Sequence, residues 1–181
     1  MGHALIGEDA ATTVLVNNVH ANMLGPDGKK IGTFRTPTLQ VDGDGFVVEN
    51  MTLANDAGPV GQALALRVDA DRVVFRRCRF LSWQDTLLVN RGRHYFADCY
   101  VEGHVDFIFC GANAVFERMA IRCLDNGYIT AASTPFDHDH GLTFIDCRIY
   151  AEAGIQSYLG RPWRAHAQTT FVRTQMGTVV R

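Results

Sequence analysis

Six short segments of this chain repeat one pattern, and that repeat restricts the fold more than any other feature. They are VVENMTL from Val47, VFRRCRF from Val74, YFADCYV from Tyr95, VFERMAI from Val115, TFIDCRI from Thr143 and TFVRTQM from Thr170. Each opens apolar, passes through two polar or mixed residues to a small or sulfur-bearing one, and returns to apolar after one more polar residue. The anchor positions are Val48, Phe75, Phe96, Phe116, Phe144 and Phe171, at intervals of 27, 21, 20, 28 and 27 residues. A weaker seventh copy, VNNVHA from Val16, precedes them.

Within each unit the apolar residues avoid the 3,4 spacing of a helix. They are short, rich in Val, Phe and Ile, and bounded by Gly, Asp and Asn, which reads as strand. A unit this short cannot bury its own apolar face, so the units must stack on one another. The expected architecture is all-β, a right-handed parallel β-helix with one coil per repeat, forming a single domain over residues 1–181. The L-x-x-L-x-L frame of a leucine-rich repeat is absent. A sandwich of hairpins is disfavoured because two-residue Asn-Gly or Asp-Gly turns between strands are scarce.

The same frame accounts for most of the sulfur. Met51, Cys78, Cys99, Met119, Cys147 and Thr174 all stand three residues after an anchor. In a solenoid they form an interior ladder with neighbours about 4.8 Å apart, where a free cysteine behaves as a small hydrophobe. Five cysteines with no C-x-x-C pair argue against a zinc ribbon, a thioredoxin-like motif or a complete disulfide framework. The DHDH segment, Asp137 to His140, has His at i, i+2 between Pro135 and Gly141 and reads as a polar loop rather than a metal site.

Composition removes further classes. A net charge of −2 is unlike a dedicated nucleic-acid binder. No run of eighteen apolar residues occurs, so no membrane-spanning helix is expected. The opening MGHALIGEDAATTVL lacks the basic and apolar regions of a signal peptide.

Two acids contradict the apolar character of their strands. Asp85 interrupts WQDTLLV from Trp83, and Asp106 interrupts GHVDFIFC from Gly103. A buried carboxylate without a partner is costly. Each, however, lies ten residues after its anchor, Phe75 or Phe96, so the two should face one another across adjacent coils. Gln62, about one coil before Asp85, is expected in the same column, with Gln84 adjoining. Facing carboxylates cannot both ionise cheaply, and the split yields a general acid and a nucleophile or base. Turn capping or pairing with arginine explains one such Asp better than two at matching offsets.

The segments GQALALRV, FLSWQDTLLV, EGHVDFIFCGANAVFE, YITAAST and YLGRPW resemble the signature blocks of pectin methylesterases, in the family's order, from about Gly7 to the chain end. YITAAST is closest in form to bacterial members. The resemblance implies a right-handed β-helix with Asp106 as nucleophile, Asp85 as general acid and then base, and Gln84 and Gln62 as oxyanion-stabilising amides. Arg161 corresponds to the arginine that orients the nucleophile, and Trp163 to the tryptophan lining the sugar site. Trp83, Tyr128, Phe107 and Phe136 are further expected groove residues. The implied substrate is methylated homogalacturonan, with no cofactor, no nucleic acid and no membrane partner. The parent enzyme is expected to be a secreted monomer.

Cys110 departs from the glycine usual after FIF. The chain also lacks the family's opening strand–helix segment and closing coils, so it is expected to be an internal fragment. A non-catalytic polysaccharide-binding β-helix, or an esterase for a different acyl ester, is the competing expectation; fold alone does not identify the ester.

Overall fold

The computed structural model describes residues 3–181. The chain winds through three parallel sheet faces, coil after coil. The first face stacks strands Ala4–Ile6, Val47–Glu49, Val73–Arg76, Arg93–Ala97, Asn113–Glu117, Leu142–Ile145 and Thr169–Val172. The second includes Val14–Asn17, Thr52–Asn55, Arg79–Leu81, Arg148–Ala151 and Gln175–Met176, and the third Leu39–Val41, Leu66–Val68, Leu87–Val89 and Ser157–Gly160. Two long strands, Tyr100–Cys110 and Ala120–Ala132, run through the corner and belong to both of these faces. Among the described residues no helix is long and apolar enough to cross a membrane.

The anchors fall in register as the repeat requires: Val48 opposite Phe75, then Phe96, Phe116, Phe144 and Phe171. Their rings stack along the axis at 4.6, 4.7, 4.7 and 4.8 Å between centroids. Ring spacing thus follows the strand spacing of about 4.8 Å, and each coil contributes one stacked aromatic to the interior. The four middle Phe rings are wholly buried.

The seventh copy does not hold. Val16 lies on the second face opposite Ala54, while the residue that precedes Val48 in the anchor column is Leu5. The physical reason is an excursion between the second and third faces of the first coil. It carries the Leu24–Lys30 bridge and the 3-10 turn Thr33–Arg35, and it stretches that coil well beyond the period of the others.

Met51, Cys78, Cys99, Met119 and Cys147 form the expected buried ladder, with Thr174 half-buried at its end. All five cysteines are free thiols. Contact with Cys78, together with burial, pushes the Cys99 thiol well above the usual range, and burial raises Cys123 and Cys147. Cys99, Cys123 and Cys147 are therefore packing groups, inert as nucleophiles.

The residue before each ladder position turns the chain from the first face to the second. Asn50, Arg77, Asp98, Arg118, Asp146 and Arg173 all adopt left-handed φ between 47 and 57°. Stacked one per coil, they pair in alternation. Arg77 Nε donates to Asn50 Oδ1 at 2.7 Å, Arg118 Nε to Asp98 Oδ1 at 2.6 Å and Arg173 Nε to Asp146 Oδ1 at 2.7 Å.

Candidate active site

A second corner, between the second and third faces, gathers the unexpected acids. Gln62 bridges to Gln84 and Gln84 to Val105, which pairs in turn with Tyr128. With Gln84 opposite Val105, Asp85 stands opposite Asp106, and the Asp85 amide donates to Val105 O at 3.1 Å. The facing carboxylates expected from equal offsets are therefore adjacent. Gln62 is displaced by one position from that expectation: it stacks on Gln84 rather than on Asp85.

Asp85 and Asp106 have left-handed φ of 64 and 51°, a conformation aspartate tolerates better than most residues. The turn breaks strand alternation, and the pairing register shifts between Val105 and Ile108. Such bulges re-aim side chains at functional corners. One result corrects the sequence reading. Phe107 does not line a groove, because after the bulge both Phe107 and Ile108 point inward and are wholly buried. Gly103 makes room for that ring; a Cβ there would lie 2.3 Å from Phe107 Cβ.

Arg161 arrives from 55 residues downstream of Asp106. The segment LGRPW runs beside Thr130–Ala132, with the Arg161 amide donating to Thr130 O and the Trp163 amide to Ala132 O, both at 2.9 Å. Arg161 donates from Nε to Asp106 Oδ1 at 2.9 Å and from Nη2 to Oδ2 at 2.5 Å. This fork fixes the carboxylate in direction and balances its charge. Tyr128 supports the guanidinium from its ring face at 4.8 Å, itself stacked on Tyr158, and Trp163 meets the same guanidinium at 5.0 Å.

Asp85 has no such partner. Burial first, and the Asp106 charge second, push its carboxyl up to about 7, against a smaller opposing pull from Arg161. The pair is thus differentiated, one acid paired with arginine and the other poised to carry a proton near neutrality. Gln62 and Gln84 line the same groove, and among the described residues neither amide donates to a protein acceptor. The groove holds about 200 Å³ and is completed by Thr33, Phe34, Phe109, Ala131 and Trp163.

Trp83 lies outside this groove, in a neighbouring depression with Asp56 and Glu102, where its ring meets His104 edge-on at 5.7 Å. Standing on the far side of Gln84 from Asp85, it remains on the second face. Phe136 is 81% exposed on the loop after Ala132, near His166 rather than in the groove. The sequence reading missed Phe109, although its offset from Phe96 equals that of Leu88 from Phe75 and the two pair in one column. It also missed Thr33 and Phe34, which come from the long excursion and carry no repeat signal.

The family model for pectinesterase matches residues 3–181. The chain belongs to the pectinesterase family. Pectinesterase 31 from Arabidopsis thaliana is 42% identical over 154 residues, covering 83% of this chain and 48% of that relative. The pectin methylesterase PemA from Erwinia chrysanthemi, a bacterial neighbour in line with YITAAST, superposes with a TM-score of 0.92 at 29% identity, over 98% of this chain and 65% of the other. A pectin methylesterase solved in complex with a hexasaccharide gives 0.93 at 29% identity, with the same coverage. The fold is accordingly the right-handed parallel β-helix of this family, and the chain spans about half the length of the curated relatives it matches.

Proposed function

We propose that this chain hydrolyses the methyl esters of galacturonate units in pectin, giving pectate and methanol, with Asp106 as nucleophile. The observation that carries the reading is the differentiated acid pair. Asp106 is clamped by Arg161, and Asp85 one coil away titrates near 7, in a groove that also presents two unspent amides.

The Asp106 carboxylate attacks the ester carbonyl carbon, and the electron pair moves onto the carbonyl oxygen. Gln62 and Gln84 amides donate to that oxyanion, and such donors act strongest where charge develops. Collapse expels the methoxy oxygen, which takes the proton of Asp85 and leaves as methanol. The product is an anhydride between the galacturonate and Asp106. Asp85, now a carboxylate, removes a proton from water, and the resulting hydroxide attacks the anhydride. Asp106 departs as carboxylate and Asp85 is protonated again, closing the cycle. A group with pKa near ambient pH suits both halves of this exchange. Trp163, half exposed beside Arg161, offers an apolar face to the pyranose ring. The chain acts in this reading as a single-domain monomer outside the cell, where its polymer substrate lies.

Methanol release from highly methylated pectin, measured beside simple acyl esters, tests the proposal. Release from pectin well above that from the simple esters is expected. Cleavage of simple esters alone would point to a different acyl substrate. Pectin binding without hydrolysis of either would sink the esterase reading.

A further inference from the structure

Resting on the esterase reading, we infer that Arg67 is a positioning residue, the head of a brace that holds the Thr33–Phe34 rim of the groove in place. The excursion that carries Thr33 and Phe34 interrupts the first coil outside its strands, and Gly32, which leads into the turn, has a left-handed φ of 76°. Phe34 is 57% exposed, so its own packing does little to fix it. Buried Thr36 ties the far end of the turn, donating to Thr33 O at 2.8 Å and accepting from Leu64 N at 3.0 Å, and Arg67 adds the constraint at Phe34 itself. It stands one coil before Leu88 and two before Phe109, in the same column of paired residues. Its Nη1 donates to Phe34 O at 2.7 Å, and its Cζ lies 5.9 Å from the centre of the Phe34 ring.

The brace continues across the coils. Arg67 Nε donates to Asp69 Oδ2 at 2.5 Å, and Asn90 Nδ2 donates to Asp69 Oδ1. Cys110 Sγ donates to Asn90 Oδ1 at 3.2 Å, and Ser133 Oγ donates to Cys110 Sγ at 3.6 Å. The thiol contact fixes which end of the Asn90 amide faces Asp69. Cys110 itself has a φ of 94°, a strained conformation that persists only where surroundings over-determine it. Cys110 is therefore tied into this network. Arg67 suits the role because its planar fork serves a carboxylate and a carbonyl at once, which a lysine ammonium cannot do with fixed geometry.

The test pairs kinetics with hydrogen exchange on Arg67→Gln, Arg67→Lys, Phe34→Ala and the double variant Arg67→Gln/Phe34→Ala. Arg67→Gln should raise KM for polymeric methylated pectin by roughly tenfold, the size of one lost charge-assisted contact, and change kcat less than about twofold. Arg67→Lys should recover only part of that loss. In the Phe34→Ala background the Arg67 change should add almost nothing, because residues acting through one another are not additive. Additive effects, an unchanged KM, or a fall confined to kcat would overturn the inference. Should the wild type release no methanol, the esterase reading fails by itself, and exchange decides the brace. Faster exchange of the Arg35 and Thr36 amides in Arg67→Gln, with the Phe96 and Phe116 strands unchanged, supports it. Unaltered exchange there overturns it.

Discussion

The molecule turns two corners with left-handed residues stacked one per coil, and it furnishes them in opposite ways. At the corner between the first and second faces, Asn50, Arg77, Asp98, Arg118, Asp146 and Arg173 alternate in character and lie exposed or half-exposed at the surface. At the corner between the second and third faces, two residues of the same charge, Asp85 and Asp106, stack while 8% and 6% exposed. The backbone solution is the same; the electrostatics are reversed. Alternation lets a column of charges neutralise itself in water. Stacking two carboxylates out of water demands an arginine from elsewhere and raises the proton affinity of the acid left without one. Like charges in a buried column, where the fold offers alternation at the neighbouring corner, single that corner out as the candidate site.

Four substitutions break or sharpen that contrast. The largest effect belongs to Asp106→Asn. An amide cannot form the anhydride, so methanol release should fall by about 10⁴-fold or more while circular dichroism shows an intact fold. Asp85→Asn should lower turnover by about 10²- to 10⁴-fold through loss of the proton donor and base. Its effect on stability has a definite sign. Unfolded, Asp85 titrates near 3.9, and folded near 7. The fold thus favours the neutral acid. That contribution is full below about pH 4 and is lost as pH rises through about 7. At about 1.4 kcal/mol per pH unit, the interval limits the loss to about 4 kcal/mol. Denaturant unfolding at pH 8 should therefore find Asp85→Asn more stable than the wild type. A variant that melts early at pH 8 and keeps its activity per folded molecule would overturn the catalytic role.

Phe96→Ala tests what both corners rest on, since it opens a gap in the central ring stack. It should cost about 3 to 5 kcal/mol in chemical denaturation, with activity retained below the transition. The smallest effect is expected at the exposed corner. Asp98→Asn removes the charge that faces Arg118 and one of its two acceptor oxygens, yet exposed pairs contribute little at about 0.15 M salt. Its melting temperature and methanol release should be indistinguishable from the wild type. A large loss there would mean that the alternating corner carries more of the fold than its exposure implies.

The anchor column and the sulfur ladder were legible in the sequence because each coil contributes one residue of each, at intervals set by the coil itself. The facing aspartates were legible for the same reason. What was misread lies where the chain leaves that frame. Leu5 was hidden by the excursion within the first coil, which stretches the interval and leaves Val16 as a false match. Gln62 falls one position from its expected place because its coil and that of Asp85 differ in length. Phe107 was taken for a groove residue because a strand's alternation cannot reveal a left-handed turn at its middle. Thr33 and Phe34 lie outside every repeat, so no offset could point to them. The glycine expected at Cys110 acquires a physical reason only from the observed φ, which glycine adopts freely.

Asp85 and Asp106 sit on neighbouring rungs, and this makes their separation a property of the sheet itself. Successive strands hydrogen-bond at about 4.8 Å, so the backbone acts as a ruler with one graduation per coil. The distance between the two carboxylate-bearing positions can be kept or doubled by changing coils, but it cannot be lengthened by half. Drift in the surrounding loops can reshape what enters the groove while the reacting positions keep their spacing. A chemistry that needed a wider gap between acid and nucleophile would have to skip a rung, placing a neutral residue where Asp85 or Asp106 now stands.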